Sequence, residues 1–296
     1  MEHNFRKTDK KALQAEFHKA CGDESFSKLI KTLKLPNGTL MKYTHPLSKS
    51  TNEIKNCKTC KNLLACKNEI IGHYYLPEVY GAELIFTYAA CKYQKKQTEE
   101  NAFKKYVVSV GLPNEIDSAK MSDIEVNDKK RMPIIKAIDK FIGDYGKKSL
   151  NGLYLSGSFG SGKTFLVSAC LNELAKQEVN VAKVYWPAFL KKLKEFNHES
   201  NELFEQVMKA RVLLIDDIGA ETCTNWSRDE ILGTLLQYRM EEKLPTFFTS
   251  NLNLEELEIH LSLTTDSTDR VKARRIIERI KQLTNELSLI SINRRK

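Results

Sequence analysis

No apolar run in the 296 residues approaches the roughly 20 that a membrane-spanning helix needs, so a helical membrane span is not expected. The first residues, Met1-Glu2-His3-Asn4-Phe5-Arg6-Lys7, lack the apolar core of a secretory signal, and a cytoplasmic location is expected. There is no internal repeat and no low-complexity segment, which argues against solenoid and array architectures. Negative charge is in deficit: 47 Lys and Arg face 38 Asp and Glu, a formal net charge of +9. Such an excess favours an anionic partner, nucleic acid above all, although a merely solvated basic surface reads the same way. In the reducing cytoplasm the seven cysteines would not be needed for disulfides, so clustered ones point to a metal.

Against that background one stretch stands out. Gly157-Ser158-Phe159-Gly160-Ser161-Gly162-Lys163-Thr164 fits G-x-x-x-x-G-K-[ST] at every fixed position. Leu153-Tyr154-Leu155 before it reads as a strand, and Phe165-Leu166-Val167-Ser168-Ala169-Cys170-Leu171 after it as a buried helix. Glycines let backbone N–H groups curl around phosphates with no Cβ in the way. The helix N-terminus adds partial positive charge where the anion sits. Lys163 is expected to reach the β- and γ-phosphates of ATP, and the Thr164 hydroxyl to hold magnesium.

Two further strands end in polar residues. Arg211-Val212-Leu213-Leu214-Ile215-Asp216-Asp217 closes on paired carboxylates, the Walker B pattern. Asp216 is expected to bind magnesium, directly or through water, and Asp217 to orient or deprotonate the attacking water. Pro245-Thr246-Phe247-Phe248-Thr249-Ser250-Asn251 ends in a polar triplet, where Asn251 either reaches the γ-phosphate or the water, or only forms a turn. Strands and helices alternate from about residue 150. The expected class is α/β, with a parallel sheet covered by helices and the site at the carboxyl ends of its strands. Tyr185, Trp186 and Phe189 lie beside Lys191, Lys192 and Lys194. That mixture suits stacking and tracking a single nucleic-acid strand, and core packing of the aromatics is the competing reading. In the basic helix at 273–283, Arg275 and Arg279 lie one turn apart on one side.

Upstream, residues 8–34 read as two amphipathic helices, with Leu13 and Phe17 on one face of the first and Phe26, Leu29, Ile30 and Leu33 on one face of the second. Cys57-Lys58-Thr59-Cys60 is a C-x-x-C pair, followed by Cys66, His73 and Cys91. Cys57, Cys60, His73 and Cys91 would form a closed Cys3His zinc site, with Cys66 a competing ligand for His73. A small domain with few bulky apolar residues gains from such a staple. The expected organisation is a small, mostly helical zinc-binding domain at 1–94, a linker or solvated helix at 95–105, and an ATPase module at 106–296.

The run Leu213-Leu214-Ile215-Asp216-Asp217-Ile218-Gly219-Ala220-Glu221, with Trp226-Ser227-Arg228-Asp229-Glu230, Phe248-Thr249-Ser250-Asn251 and the closing Asn293-Arg294-Arg295, resembles the AAA+ core of bacterial helicase loaders. The cysteine–histidine module resembles that of the DnaI-type loaders, and the likeness covers nearly the whole chain. It implies a P-loop AAA+ ATPase that delivers the replicative DNA helicase hexamer onto single-stranded DNA during replication initiation or restart. It implies helicase contact through the amino-terminal zinc domain, and self-association and DNA contact through the AAA+ domain. It also implies roles: Asn251 as sensor 1, Arg275 or Arg279 as the arginine finger given to a neighbouring subunit, and Arg294 as the sensor-2 contact to nucleotide. Asp217 stands where many AAA+ proteins carry Glu, and its shorter reach fits a slow, oligomer- or DNA-stimulated ATPase. Two other classes fit parts of the pattern. A transposition regulator that binds ATP and DNA shares the AAA+ signature without needing the zinc module. An unfoldase-type ATPase needs an aromatic–apolar–Gly pore loop, which this sequence lacks.

Overall fold

A computed structural model describes residues 7–265 and 268–294. Residues 1–6, part of the stretch read for a secretory signal, and 295–296 of the basic tail lie outside the described residues. Two compact units divide the chain, Met1–Asn101 and Ala102–Lys296. Among the described residues no helix is long and apolar enough to cross a membrane.

The first unit runs α1 (Lys7–Cys21), α2 (Glu24–Leu33), α3 (Asn37–Leu40), α4 (Thr44–Thr59), β1 (His73–Tyr80), β2 (Glu83–Ala90) and α5 (Lys92–Asn101). The Asp23 carboxylate starts α2 by accepting from the Ser25 and Phe26 N–H groups at 2.8 and 3.3 Å. Phe17 and Phe26 then meet edge to face, 5.9 Å between ring centres, and Leu40, Leu47 and Leu84 complete a small core. The sequence reading had no hairpin here. β1 and β2 pair antiparallel from His73 opposite Ala90 to Tyr80 opposite Glu83. Gly81 turns the corner at φ 61°, a left-handed conformation that glycine enters without a Cβ clash. Tyrosines and β-branched residues on both sides of that glycine were the available signal. Helix α5 is solvated, as one reading of 95–105 allowed.

The second unit contains β3 (Val107–Val110), α6 (Asn114–Asp117), α7 (Met132–Asp144), β4 (Gly152–Gly157), α8 (Lys163–Lys176), β5 (Val181–Tyr185), α9 (Trp186–Leu193), α10 (His198–Lys209) and β6 (Val212–Asp216). A π-helical turn at Trp226–Leu232 follows, then α11 (Gly233–Glu241), β7 (Thr246–Thr249), α12 (Leu254–Ser262), α13 (Arg270–Leu283) and β8 (Thr284–Leu289). The six strands form one sheet in the order β3-β5-β6-β7-β4-β8, parallel at every pairing. This is the α/β sheet, flanked by helices, that the alternation of elements predicts. Successive side chains of β6 serve opposite faces: Leu213 and Ile215 join a core with α9 and α13, whereas Val212 and Leu214 join one with α7 and α8. Trp186 and Phe189 lie in the first of these cores, 1% and 0% exposed. Of the two readings of these aromatics, core packing holds for Trp186 and Phe189: the apolar face of α9 packs inward, and its exposed lysines do not bring those rings with them.

The order of strands positions the site. β4 lies between β7 and β8, and β7 is next to β6. Since all run parallel, the residues following β4, β6 and β7 emerge side by side at one edge.

A buried cation ties the outer segment to this frame. Lys183, in the middle of β5, is 0% exposed. Its ammonium pairs with Asp117 Oδ1 at 2.6 Å and donates to the Asp117 carbonyl at 2.7 Å and Asn172 Oδ1 at 2.9 Å. Asn172 in turn donates to the Asp117 and Ala119 carbonyls, and the Ser168 hydroxyl to that of Ile116. The segment after β3 is thus pinned to α8, the helix that carries the phosphate loop. Lys183→Met removes the partner of the half-buried Asp117 carboxylate and of Asn172 Oδ1, and should cost about 3 kcal/mol, read as a lowered urea midpoint for the second unit.

Candidate nucleotide-binding site

Between β4 and α8 the chain passes through Gly160 at φ 69° and Gly162 at φ 90°. A Cβ on Gly160 would lie 1.9 Å from the Asn293 side chain, so only glycine fits there. The loop is braced from one side by the segment that follows β8. Ser158 N–H donates to the Leu289 carbonyl at 3.2 Å and Arg294 N–H to the Gly160 carbonyl at 2.8 Å. Ser158 Oγ donates to the Ser291 carbonyl at 3.0 Å. Ser161 is buried, and Phe159 is largely exposed.

Lys163, the first residue of α8, is 7% exposed. Its ammonium donates to the Gly157 carbonyl at 2.9 Å, the Ser158 carbonyl at 3.0 Å and Asn251 Oδ1 at 3.0 Å. The other end of the Asn251 amide donates to Asp217 Oδ1 at 3.0 Å. Asn251 therefore bridges the loop lysine and the second carboxylate, rather than serving only as a turn residue. Asp216 is buried beside them. Its carboxylate accepts from Thr249 Oγ1 at 2.5 Å, and the Thr164 hydroxyl lies near enough to favour its ionised form. Burial pushes the Asp216 carboxyl above its ordinary range, against the Thr249 and Thr164 hydroxyls and with Asp217 adding in the same direction. Thr249 also accepts from the Asp217 N–H at 3.0 Å. The sequence reading noted its polar triplet without assigning it this job. Asp217 takes φ 57°, a conformation that Asp tolerates better than most residues. That is a local reason for Asp where a longer carboxylate is common.

The three arginines singled out in the sequence have different surroundings. Arg294 pairs with Glu125 and, at 3.3 Å, with Asp128. Arg279 is half-buried and donates to the Gly233 carbonyl at 2.9 Å. Arg275 is exposed.

In the first unit Cys57, Cys60, Cys66, His73 and Cys91 all line one cavity of about 540 Å³. The expected Cys57, Cys60, His73, Cys91 shell is nevertheless not assembled. Among the described residues no group of three or more His, Cys, Asp or Glu side chains is arranged to hold a metal ion. The donors are turned to neighbours instead. His73 Nδ1 meets the Ile71 carbonyl at 3.1 Å, and the Cys60 thiol donates to the Asn62 carbonyl at 3.1 Å. Cys57 Sγ accepts from the Asn68 amide at 3.3 Å, and Cys66 Sγ from the Gly72 N–H at 3.4 Å. As a donor set the cavity still suits a thiophilic metal. Four cysteines and a histidine share its lining, and two of the sulfurs accept N–H bonds of the kind a metal-bound thiolate takes from its surroundings.

Residues 153–283 match the model of the ATPase family associated with various cellular activities (AAA). The chain is 34% identical over 245 residues to the replicative helicase loader DnaI of Bacillus subtilis, covering 81% of this chain and 79% of that protein. A crystal structure of DnaI superposes with a TM-score of 0.57 at 41% identity, over 67% of this chain and all of that one. The crystal structure of a primosome component from Streptococcus pyogenes superposes with a TM-score of 0.56 at 36% identity, over 66% of this chain and 98% of that one.

The Asp216 environment has a pH consequence. A carboxyl whose pKa is higher in the folded protein than in the unfolded chain costs stability once ionised. Its contribution is fully present below the ordinary carboxylate value and lost as pH rises through the raised one. Asp216→Asn should therefore melt above the parent at about pH 7 and lose that advantage near pH ~3. Thermal denaturation without nucleotide reads this, and magnesium-dependent ATP hydrolysis should be abolished in the same variant.

Proposed function

The chain belongs to the family of the replicative helicase loader DnaI, and from that premise we propose that it is an ATPase that places a replicative helicase hexamer on single-stranded DNA. The observation that carries the ATPase half is the hydrogen-bonded line Lys163–Asn251–Asp217 beside the Thr164–Asp216 pair. A γ-phosphate drawing Lys163 off the loop carbonyls would change what Asn251 bridges, and Asn251 would pass that change to the carboxylate that orients water. Magnesium would be held by Thr164 and Asp216. Bound there, it would neutralise charge on the phosphates.

Charge developing on the γ-phosphate calls for a further cation, and a neighbouring subunit is the natural source. Arg275 is the better donor of the two candidates, because Arg279 is already engaged with Gly233. For DNA, one candidate combination of ring and cation in the second unit is exposed Phe196 beside half-buried Trp226, 5.6 Å between ring centres, with the Lys194 ammonium 6.0 Å from the Trp226 ring. Phe196 is 70% exposed. Aromatic rings beside lysines suit a single strand, whose bases stack without sequence preference. The first unit is left as the helicase contact.

Two experiments test this reading. The full chain should co-migrate with a replicative helicase hexamer, and absence of any complex with or without ATP rules out the loader role. ATP turnover should rise with protein concentration or with added oligo-dT. Arg275→Ala should bind ATP and lose roughly 10³-fold in turnover, and mixing it with Lys163→Ala subunits should restore part of the rate. Turnover that is independent of concentration in dilute monomer excludes an arginine in trans.

The first unit is proposed to hold zinc in its cysteine cavity, with His73 or Cys66 completing Cys57, Cys60 and Cys91. Purified protein should contain about one zinc per chain, and Cys57→Ser should lose it and loosen the first unit. Metal analysis finding none in unchelated protein sinks the assignment.

A further inference from the structure

Arg131 lies just before α7 and has no place in the motifs discussed above. It is 3% exposed, yet its guanidinium makes a single hydrogen bond, from Nη1 to the Glu125 carbonyl at 3.3 Å, and its Nε has no partner. Nη2 stands against the phosphate loop: a Cβ on Gly162 would lie 3.4 Å from it. Glu125 and Asp128 offset part of its charge, but among the described residues no carboxylate forms an ion pair with it. Glu125 and Asp128 are both engaged by Arg294, and Asp128 also takes the Ser291 hydroxyl. Burial and the neighbouring Arg294 both push the Arg131 pKa down, with Glu125 and Asp128 opposing them.

A guanidinium taken out of water normally finds a carboxylate or several carbonyls, since an uncompensated buried charge costs several kcal/mol. Arg131 has neither. Its free donor edge faces the turn whose N–H groups, together with the start of α8, form the anion cradle. We propose that Arg131 is a second cation of the nucleotide site, a positioning residue whose charge is balanced by the phosphates of a nucleoside di- or triphosphate held by Gly162 and Lys163. This rests on the ATP-binding reading above and assigns a residue outside its motifs. Nucleotide then does more than occupy the loop. It offsets a charge buried in the segment 125–131, to which Arg294 is also ion-paired, so loading the site steadies that segment.

The sign of the stability change separates this role from a structural one. In the full chain, Arg131→Met removes a buried charge that Glu125 and Asp128 offset only in part without nucleotide. Its melting temperature without nucleotide should equal or exceed the parent's. Its affinity for ATP and ADP, measured by calorimetry, should fall roughly ten- to a hundredfold, and the rise in melting temperature on adding nucleotide should shrink to match. Arg131→Lys should recover part of the affinity. Should Arg131→Met fail to fold, Arg131→Gln, which keeps a donor for the Glu125 carbonyl, carries the same expectations. Equal nucleotide affinity in parent and neutral variant overturns the inference, as does a loss that lysine does not restore at all. If the parent itself binds no ATP, it is the ATPase reading that fails.

Discussion

Everything at the nucleotide site depends on β4 being inserted between β7 and β8. A parallel sheet sends all its strands out at one edge, and the order decides which ends are neighbours. With β6, β7 and β4 adjacent, the aspartate pair, the Thr249-Ser250-Asn251 triplet and the phosphate loop arrive within hydrogen-bonding distance without any long loop to carry them. β8 on the far side of β4 supplies a wall. Its carbonyl at Leu289 and the backbone beyond it hold Ser158 and Gly160. The loop is thus gripped by backbone from one strand and read by side chains from two others. Positioning on strand ends gives these side chains less freedom than flexible loops would.

Thr249 shows how tightly this is built. One hydroxyl accepts from the Asp217 N–H and donates to the Asp216 carboxylate. It fixes the backbone of one catalytic candidate and the charge of the other. Asp216 is kept in a buried setting where ionisation is disfavoured, and the Thr164 hydroxyl and Lys163 oppose that penalty. Such a carboxylate gains most from a divalent cation, which is the physical sense of burying it next to the phosphate loop.

The parallel sheet and the three motif ends were readable because their signals are local. A glycine loop after a strand, apolar runs ending in carboxylates and the 3.6 period of α13 each lie within about ten residues. What escaped was set by contacts distant in sequence. The β1–β2 hairpin has a local signal in the residues around Gly81, but cysteine spacing in the same stretch suggests a metal fold just as well. Edge strand β3 is four residues long and is recognisable as a strand only beside β5. Trp186 and Phe189 next to lysines could face either way until the sheet decided, and the solvent-facing ring turned out to be Phe196, a residue in left-handed conformation at φ 50°. Arg275 and Arg279 share a helix side by spacing, but the Gly233 carbonyl that distinguishes them comes from another element.

The buried cations of the second unit show why partner counting is informative. Lys183 is surrounded by a carboxylate, a carbonyl and an amide oxygen, and its hydrogen bonds knit one segment to α8. Arg239 has no carboxylate, but its donors meet the Met208, Ala210 and Pro245 carbonyls and the Thr246 hydroxyl. It finishes the end of α10 and the start of β7. Both are what a cation looks like when its task is to satisfy backbone that would otherwise be buried unpaired. Arg131 is also buried, though slightly less fully, and satisfies one carbonyl. Folding alone gives no reason to keep it charged, because a Met of similar length would fill the space without the desolvation penalty. The difference between these three side chains is therefore not burial but what they face. Two face backbone, and the third faces the phosphate loop.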